Sequence, residues 1–226
     1  MPVRHRPLTA GASAPALAAA LVCATLGSAG AGEAKPADAP LAQMALSARV
    51  AAWGREAKDP LALIVAAEIR SRVGTRSVER TPEQSGEPAA EAKGVDLSTD
   101  ALLAEAVALS GKDATIAALA ADVKGSATKG LVQGAGGSRA TLRAAGTDWY
   151  RRLKFEGARY AETYVELAGP GTVSVSVYDD KGNLVCRDAN PSAVAYCGWT
   201  PSSTATFDLR VENRGTAAVP YRLFTN

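Results

Sequence analysis

The chain has 226 residues and a formal net charge of +2, from 25 basic and 23 acidic side chains. This balance excludes the strongly basic surface by which proteins bind nucleic acids or anionic membranes. The single histidine, His5, lies close to the N-terminus. The rest of the chain therefore has no histidine for a Ser-His-Asp site or a histidine-ligated metal, and we expect a protein that is not an enzyme.

The N-terminal segment has the pattern of a secretory signal peptide. Arg4 and Arg6 make its start basic, the stretch Leu8–Leu26 carries no charge, and Ala29–Ala31 supplies the small residues that a signal peptidase recognises. A membrane anchor is the alternative, but alanine and glycine give the apolar stretch a poor insertion energy. We expect residues 1–31 to be removed on export. The mature chain would then have no membrane span and would be periplasmic or secreted.

Residues 32–124 are predicted to form alanine-rich helical hairpins. Alanine, leucine and glutamate are frequent, and apolar residues recur at three- and four-residue spacings, which is typical of one helix face. Asp59-Pro60 indicates a helix start, with Asp as the N-cap and Pro at the first helical position. The polar, proline-containing stretch near 74–96 is predicted to be a disordered loop.

The helical region also shows an internal alignment. Lys58-Asp59 aligns with Lys112-Asp113, and Ala66–Ile69 aligns with Ala120–Val123. A duplicated αα-hairpin explains this alignment, and chance matching in an alanine-rich stretch is the other explanation. Because the hairpins have few large apolar side chains, we expect them to need a partner, a second copy or the rest of the chain for stability.

The composition changes after a glycine-rich stretch. Residues 125–138 are predicted to be a linker, and every aromatic residue except Trp53 lies beyond it. In residues 139–226, segments such as Val173–Val177 and Phe207–Glu212 alternate apolar and polar side chains between Gly, Pro and Asn turns. The sequence therefore predicts an α+β protein in two parts: helical hairpins, then an antiparallel, jelly-roll-like β-sandwich of about eight strands.

The sandwich resembles a known family. Val177–Val185, with Asp-Asp-Lys-Gly-Asn at its turn, is similar to the central hairpin of the bacterial pre-peptidase C-terminal domains. Phe207–Asn213 and Tyr221–Leu223 are similar to their closing strands. The resemblance covers Thr147–Asn226. It implies a small jelly-roll module that serves binding, folding or targeting of secreted proteins rather than catalysis.

Calcium is the one cofactor that this resemblance suggests. Calcium-binding members carry a D-x-D pattern in the strand before the hairpin, where this chain has Ser174 and Ser176. Asp179, Asp180 and Asn183 are still candidate ligands, because hard cations prefer clustered oxygens. The same three residues suit the backbone of a hairpin turn, which is the interpretation we favour.

Cys186 and Cys197 are the only cysteines beyond the leader. In an exported chain, two cysteines favour a disulfide. They fall on consecutive predicted strands, Leu184–Arg187 and Val194–Trp199, and a hairpin-like return would bring them together. The alternative is a redox pair, but the C-x-x-C spacing of such pairs is missing. We predict a structural disulfide.

Tyr160, Glu162, Tyr164 and Glu166 share one face of a predicted strand. Aromatic rings and carboxylates on an exposed face are typical of carbohydrate-binding modules. The same pattern also fits an ordinary solvated cross-strand ladder. A third hypothesis, a glycosidase carboxylate pair, requires a separation that the sequence does not give.

Taken together, these patterns predict an exported, non-catalytic envelope protein with a binding or assembly sandwich. The alternative is a carbohydrate- or small-ligand-binding module that uses the Tyr160/Tyr164 face. Expected partners are an envelope protein or a glycan, and not nucleic acid.

Overall fold

The structure is a computed structural model that describes residues 1, 36, 39–88, 96–127, 134–190 and 192–226. The described residues from 36 onward belong to one compact unit. The predicted signal peptide lies outside the described residues apart from Met1, so its cleavage stays a prediction. Within the described part, no helix is long and apolar enough to span a membrane.

Among the described residues, four helices form two αα-hairpins, as predicted. They are α1 (Pro40–Ala57), α2 (Pro60–Ser71), α3 (Thr99–Leu109) and α4 (Ala114–Ala127). Asp59 is the N-cap of α2, since its carboxylate accepts hydrogen bonds from the backbone amides of Leu61 and Ala62. Pro60 occupies the first turn, where a missing N–H costs nothing.

The two hairpins turn in the same way. Lys58 and Lys112 both adopt the left-handed conformation, with φ of 52° and 68°. The Asp113 carboxylate accepts from the amides of Thr115 and Ile116, as the Asp59 carboxylate does from the corresponding positions of α2. The aligned Lys-Asp pairs are therefore equivalent in structure, which favours duplication over chance matching.

In the part of the chain that the structure describes, the strands form two sheets of five. In chain order they are β1 (Thr75–Ser77), β2 (Glu83–Gln84), β3 (Ala135–Leu142), β4 (Thr147–Phe155), β5 (Ala161–Leu167), β6 (Val173–Tyr178), β7 (Leu184–Asp188), β8 (Val194–Trp199), β9 (Ala205–Asn213) and β10 (Val219–Thr225). Sheet 1 has the order β1-β3-β10-β5-β8, and sheet 2 has the order β2-β4-β9-β6-β7. All neighbours are antiparallel except β1 and β3. The predicted α+β class and β-sandwich are confirmed.

The core of the sandwich lies between the two sheets. Alternate side chains such as Val175 and Val177 of β6 and Leu209 and Val211 of β9 point inward and are buried. The disulfide between Cys186 and Cys197 is confirmed, with the two Cα atoms 5.9 Å apart. It joins β7 of sheet 2 to β8 of sheet 1, and so links the two sheets at one edge.

A second core lies between the helices and the outer face of sheet 1. Leu41 and Met44 of α1 pack in one cluster with Tyr164 of β5 and Phe224 of β10. Helices and sandwich thus belong to one compact unit, not to two parts joined by a hinge. The hairpins were expected to need a partner, a second copy or the rest of the chain for stability. The structure shows the last of these, because the helices share a core with sheet 1.

The predicted linker and loop boundaries need correction. Within 125–138, α4 continues to Ala127 and β3 begins at Ala135, while residues 128–133 lie outside the described part. Within 74–96, β1 and β2 add an edge strand to each sheet, and residues 89–95 are not described. Glycine and polar residues do not prevent this, because an edge strand pairs through its backbone and need not bury an apolar face.

Candidate functional site

The predicted tyrosine and glutamate face is not exposed. Glu162, Tyr164 and Glu166 of β5 are buried, because their face of sheet 1 lies beneath the helices. Tyr160 is partly buried and lies just before the strand. Both predicted settings, a sugar-binding platform and a solvated ladder, required solvent on this face. In place of either, the polar side chains form an interface between two layers.

Glu162 supplies the missing cap of α1. Ala39 precedes this helix and has no side-chain oxygen to offer. The Glu162 carboxylate accepts hydrogen bonds from the amides of Ala42 (3.0 Å) and Leu41 (3.4 Å), and from the hydroxyl of Tyr196 (2.9 Å). Burial, together with nearby Tyr160 and Glu162, raises the pKa of Tyr196 far above its ordinary value. This carboxylate therefore has a structural role at a helix N-terminus.

Glu166 forms a buried ion pair with Arg70 of α2. The Nη2 atom of Arg70 lies 2.6 and 2.7 Å from the two carboxylate oxygens, and the Tyr164 hydroxyl donates to the same carboxylate at 2.9 Å. Burial alone would lower the pKa of Arg70, but the carboxylate more than offsets this and raises it. Arg70 shares a buried helix face with Leu63 and Ala67, a spacing that could have predicted a buried charge in need of a carboxylate.

Beside this ion pair lies a cleft that the sequence did not predict, here called the arginine cleft. It has a volume of about 750 Å³ and lies where α2, the start of α3, the 75–81 segment and strands β3 and β10 meet. Its charged lining comprises Arg70, Arg76, Arg80, Arg139 and Arg222, with Glu79 and Asp100 as the only carboxylates among the described lining residues. The sequence gives no pattern that predicts this cleft, because its arginines come from four separate segments of the chain.

The positive charge of the arginine cleft is only partly compensated. Arg70 is paired with Glu166, and Arg222 lies 3.5 Å from Asp96. Within the described ranges, Arg76, Arg80 and Arg139 form no ion pair.

Two of these guanidinium groups are notable for their burial. The Nη1 atom of Arg70 is buried without a hydrogen-bond partner in the described part of the chain. Arg80 donates to the Gly136 carbonyl and the Thr225 hydroxyl, and burial lowers its pKa. Arg80 therefore loses hydration without a carboxylate partner among the described residues, and Arg70 has one buried nitrogen without an acceptor although Glu166 compensates its charge. A cationic side chain in this state favours an anion in the cleft.

A second cavity adjoins the arginine cleft. It has a volume of about 510 Å³ and shares Arg139 and Arg222 with the cleft. Asp96 and Glu166 also line it, and much of the remaining lining is apolar, including Leu167 and Pro220. Arg222, which pairs with Asp96, therefore lines both the polar arginine cleft and the partly apolar second cavity.

The candidate calcium ligands form a hairpin turn between β6 and β7. The Asp179 carboxylate accepts from the amides of Lys181 (3.0 Å) and Asn183 (2.7 Å) and from the Asn183 side chain (2.9 Å). Hydrogen bonds from Asn183 hold the pKa of Asp179 below its ordinary value. Asp180 is exposed at the same turn. Among the described residues, no group of three or more acidic, histidine or cysteine side chains is placed to hold a metal.

The outer face of sheet 2 carries an aromatic and charged cluster that sequence reasoning missed. The rings of Trp149 and Tyr178 lie 5.5 Å apart, and the Arg151 guanidinium lies 4.0 Å from the Trp149 ring. Arg151 also pairs with Asp208 at 2.8 Å and Glu83 at 3.0 Å. Because Arg151 lies over the Trp149 ring, a ligand would have to displace it to stack on that side.

Likenesses to solved structures cover about two fifths of the chain. No known protein family and no curated protein matches this sequence. Solved structures that resemble it include the pre-peptidase C-terminal domain of a collagenase from Bacillus anthracis, with 13% identity over 40% of this chain and 87% of that one, and a TM-score of 0.35. PliG of Aeromonas hydrophila, a periplasmic inhibitor of g-type lysozyme, shows 12% identity over 41% and 84%, with a TM-score of 0.32.

A xylan-binding CBM22-1 domain from Paenibacillus barcinonensis shows 16% identity over 43% of this chain and 74% of that one, with a TM-score of 0.24. These are distant likenesses of fold and say nothing about ligands. The predicted resemblance of the C-terminal half to the pre-peptidase C-terminal domain is thereby confirmed as a weak resemblance of the β-sandwich.

Proposed function

We propose that the mature chain is an exported, non-catalytic binding module of the bacterial envelope, and that its ligand site is the arginine cleft. The observation that carries the proposal is the cleft itself. Its volume of about 750 Å³ lies within the range of small-ligand sites, about 300–1,000 Å³. Its walls come from both the helical layer and the sandwich, and such junctions commonly hold ligands.

The cleft replaces the Tyr160/Tyr164 face as the ligand site. Tyr164 is buried and donates to Glu166, so its ring is not available for stacking on a sugar. A glycan remains a suitable ligand class, because threonine and serine hydroxyls such as those of Thr75 and Ser77 line the cleft and can hydrogen-bond to it.

Export and the absence of catalysis rest on other observations. The leader pattern of residues 1–31 supports export, and so does the disulfide, because disulfides persist in oxidising compartments. The lack of histidine beyond His5 supports a binding role. Glu162 and Glu166, the carboxylates considered for hydrolysis, are both engaged in holding helices to the sheet.

A binding screen tests the proposal. The protein, expressed with its own leader and recovered from the periplasm, is screened against neutral and acidic saccharides by thermal shift and titration calorimetry. We expect at least one compound to bind with one-to-one stoichiometry, and Arg139→Gln to weaken its binding. Arg151→Gln, on the opposite face of the sandwich, is the matched control and should not change it. A protein that binds none of these compounds, or retention of the protein in the cytoplasm, would contradict the proposal.

A further inference from the structure

We infer that the ligand of the arginine cleft carries a phosphate monoester on a small polyhydroxylated body. This inference rests on the proposed function, because it names the ligand class of the same site. Three features of the cleft support it: its uncompensated charge, the geometry of its donors and the polarity of its remaining lining.

The charge of the lining matches a dianion. Glu166 compensates Arg70, Asp96 compensates Arg222, and Lys124 lies 2.9 Å from Asp100. Arg76, Arg80 and Arg139 then face a single carboxylate, that of Glu79. Three positive groups against one negative group leave an excess of two charges. A carboxylate ligand would neutralise only one of them, whereas a phosphate monoester carries a charge of about −1.5 to −2 at neutral pH.

The donors suit an oxyanion with several acceptor oxygens. Guanidinium groups present planar pairs of N–H donors that match phosphate oxygens. Arg76 lies on β1, Arg139 on β3 and Arg80 between the two edge strands, so an anion in the cleft is approached from separate elements. Arg70 also lines the cleft, and its buried Nη1 atom has no hydrogen-bond partner in the described part of the chain.

The rest of the lining favours a ligand whose body, apart from the phosphate, is polar. Helix α3 begins at the cleft, where Ser98 is its N-cap, and the partial positive charge of a helix N-terminus adds to the attraction for an anion. Hydroxyl groups line the cleft at Thr75, Ser77, Thr81 and Thr99. These protein hydroxyls can donate to and accept from the hydroxyls of a sugar. An apolar ligand body would leave the protein hydroxyls without hydrogen-bond partners.

Calorimetric titrations with matched probes test this inference. Glucose 6-phosphate is compared with glucuronate, with neutral glucose, and with inorganic phosphate and sulfate. We expect glucose 6-phosphate to bind at least about tenfold more tightly than glucuronate, and glucose to bind not at all. Inorganic phosphate should compete with it, and added salt should weaken it because the attraction is electrostatic.

Substitutions of exposed arginines in the cleft test whether glucose 6-phosphate binds there. Arg139 and Arg76 are exposed, so Arg139→Gln and Arg76→Gln should leave the melting temperature of the free protein unchanged. Each should weaken glucose 6-phosphate binding about tenfold, and Arg139→Lys should weaken it less. Arg151→Gln should have no effect.

The outcomes separate the inference from the proposed function. If glucose or glucuronate binds as tightly as glucose 6-phosphate, and Arg139→Gln weakens that binding, the cleft is a ligand site but the phosphate inference is wrong. Binding of glucose 6-phosphate that is unchanged in Arg139→Gln and Arg76→Gln would overturn the inference as well. If no saccharide binds at all, both proposals fail.

Discussion

The outer faces of the two sheets carry similar kinds of side chain in opposite settings. On sheet 1, every residue of β5 is buried, and its Glu and Tyr side chains contact helices. On sheet 2, β9 alternates buried and partly exposed residues, and its Arg and Glu side chains face solvent. An alternating polar face therefore indicates the geometry of a strand, but it does not indicate whether water or another layer of the protein covers that face.

The ion pairs on the two faces show the physical consequence. Arg70 and Glu166 beneath the helices are 6% and 4% exposed, whereas Arg151 and Asp208 on sheet 2 are 40% and 29% exposed. A buried charge that loses its partner has no water to replace it, while an exposed one rehydrates at little cost.

The largest effect is expected from breaking the buried pair. Arg70→Met leaves Glu166 without the guanidinium that holds it between the layers, and we expect the free energy of unfolding to fall by about 3–5 kcal/mol. Arg151→Met, the matched change on sheet 2, should cost at most about 1 kcal/mol. Urea denaturation of both variants measures the two losses, and equal losses would contradict the comparison.

The disulfide links the two sheets, because it joins β7 at an edge of sheet 2 to β8 of sheet 1. Replacing both Cys186 and Cys197 by Ala should lower the free energy of unfolding by about 3 kcal/mol, since the bridge closes a short loop in the unfolded chain. Thermal unfolding of the wild-type protein with and without a reductant is the control. A double variant as stable as the oxidised protein would show that the bridge stabilises nothing.

A smaller effect is expected at the carboxylate that caps α1. In Glu162→Gln one carboxylate oxygen is replaced by an NH2 group that cannot accept, so one of the backbone N–H groups of Leu41 and Ala42 loses its acceptor. We expect a loss of about 1–3 kcal/mol. Glu212→Gln on sheet 2, which changes a carboxylate that pairs with Arg210 nearer solvent, should cost less. Circular dichroism during urea denaturation measures both. A larger loss for Glu212→Gln would reverse the expected order.

The smallest effect is a pH dependence at Asp148, which lies between the sheets and accepts from Tyr221 of sheet 1 and Gln84 of sheet 2. Burial raises the pKa of Asp148 above its ordinary value, although these hydrogen bonds oppose the shift. The folded protein therefore holds this proton more tightly than the unfolded chain does. The contribution of Asp148 to stability is complete below its unfolded pKa and is lost as pH rises through its folded pKa.

Asp148→Asn removes this titration. We expect the stability of the variant relative to the wild-type protein to increase as pH rises from about 4 to 7, the range above the ordinary pKa of an aspartate. Urea denaturation at a series of pH values measures the difference, which also cancels the contributions of the other carboxylates. A difference that stays constant or falls with pH would contradict the raised pKa.

Local features could be predicted from the sequence because their causes are local. Asp59-Pro60 starts a helix through its own side chain and ring, and the alternation around Val175 reflects the geometry of one strand. The pairing of Cys186 with Cys197 required only that two neighbouring strands return toward each other. The alternation and turn residues of the C-terminal half predicted the sandwich of about eight strands, and eight strands lie between Ala135 and Thr225.

The contacts between layers could not be predicted in the same way. Nothing in the run from Tyr160 to Glu166 indicates that α1 and α2 cover it, because the partners Leu41 and Arg70 lie far away in the sequence. The edge strands β1 and β2 were missed since backbone pairing leaves no apolar alternation. The arginine cleft depends on four segments meeting, and only a three-dimensional structure shows that.

The central claim is that helices and sandwich fold as one unit because a polar face of sheet 1 lies beneath the helices. Differential scanning calorimetry of the wild-type protein and Arg70→Met tests it most directly. The account predicts a single transition, with equal calorimetric and van't Hoff enthalpies, that moves as a whole to lower temperature in Arg70→Met. Two transitions in the wild-type protein, with only the helical one shifted by Arg70→Met, would contradict it.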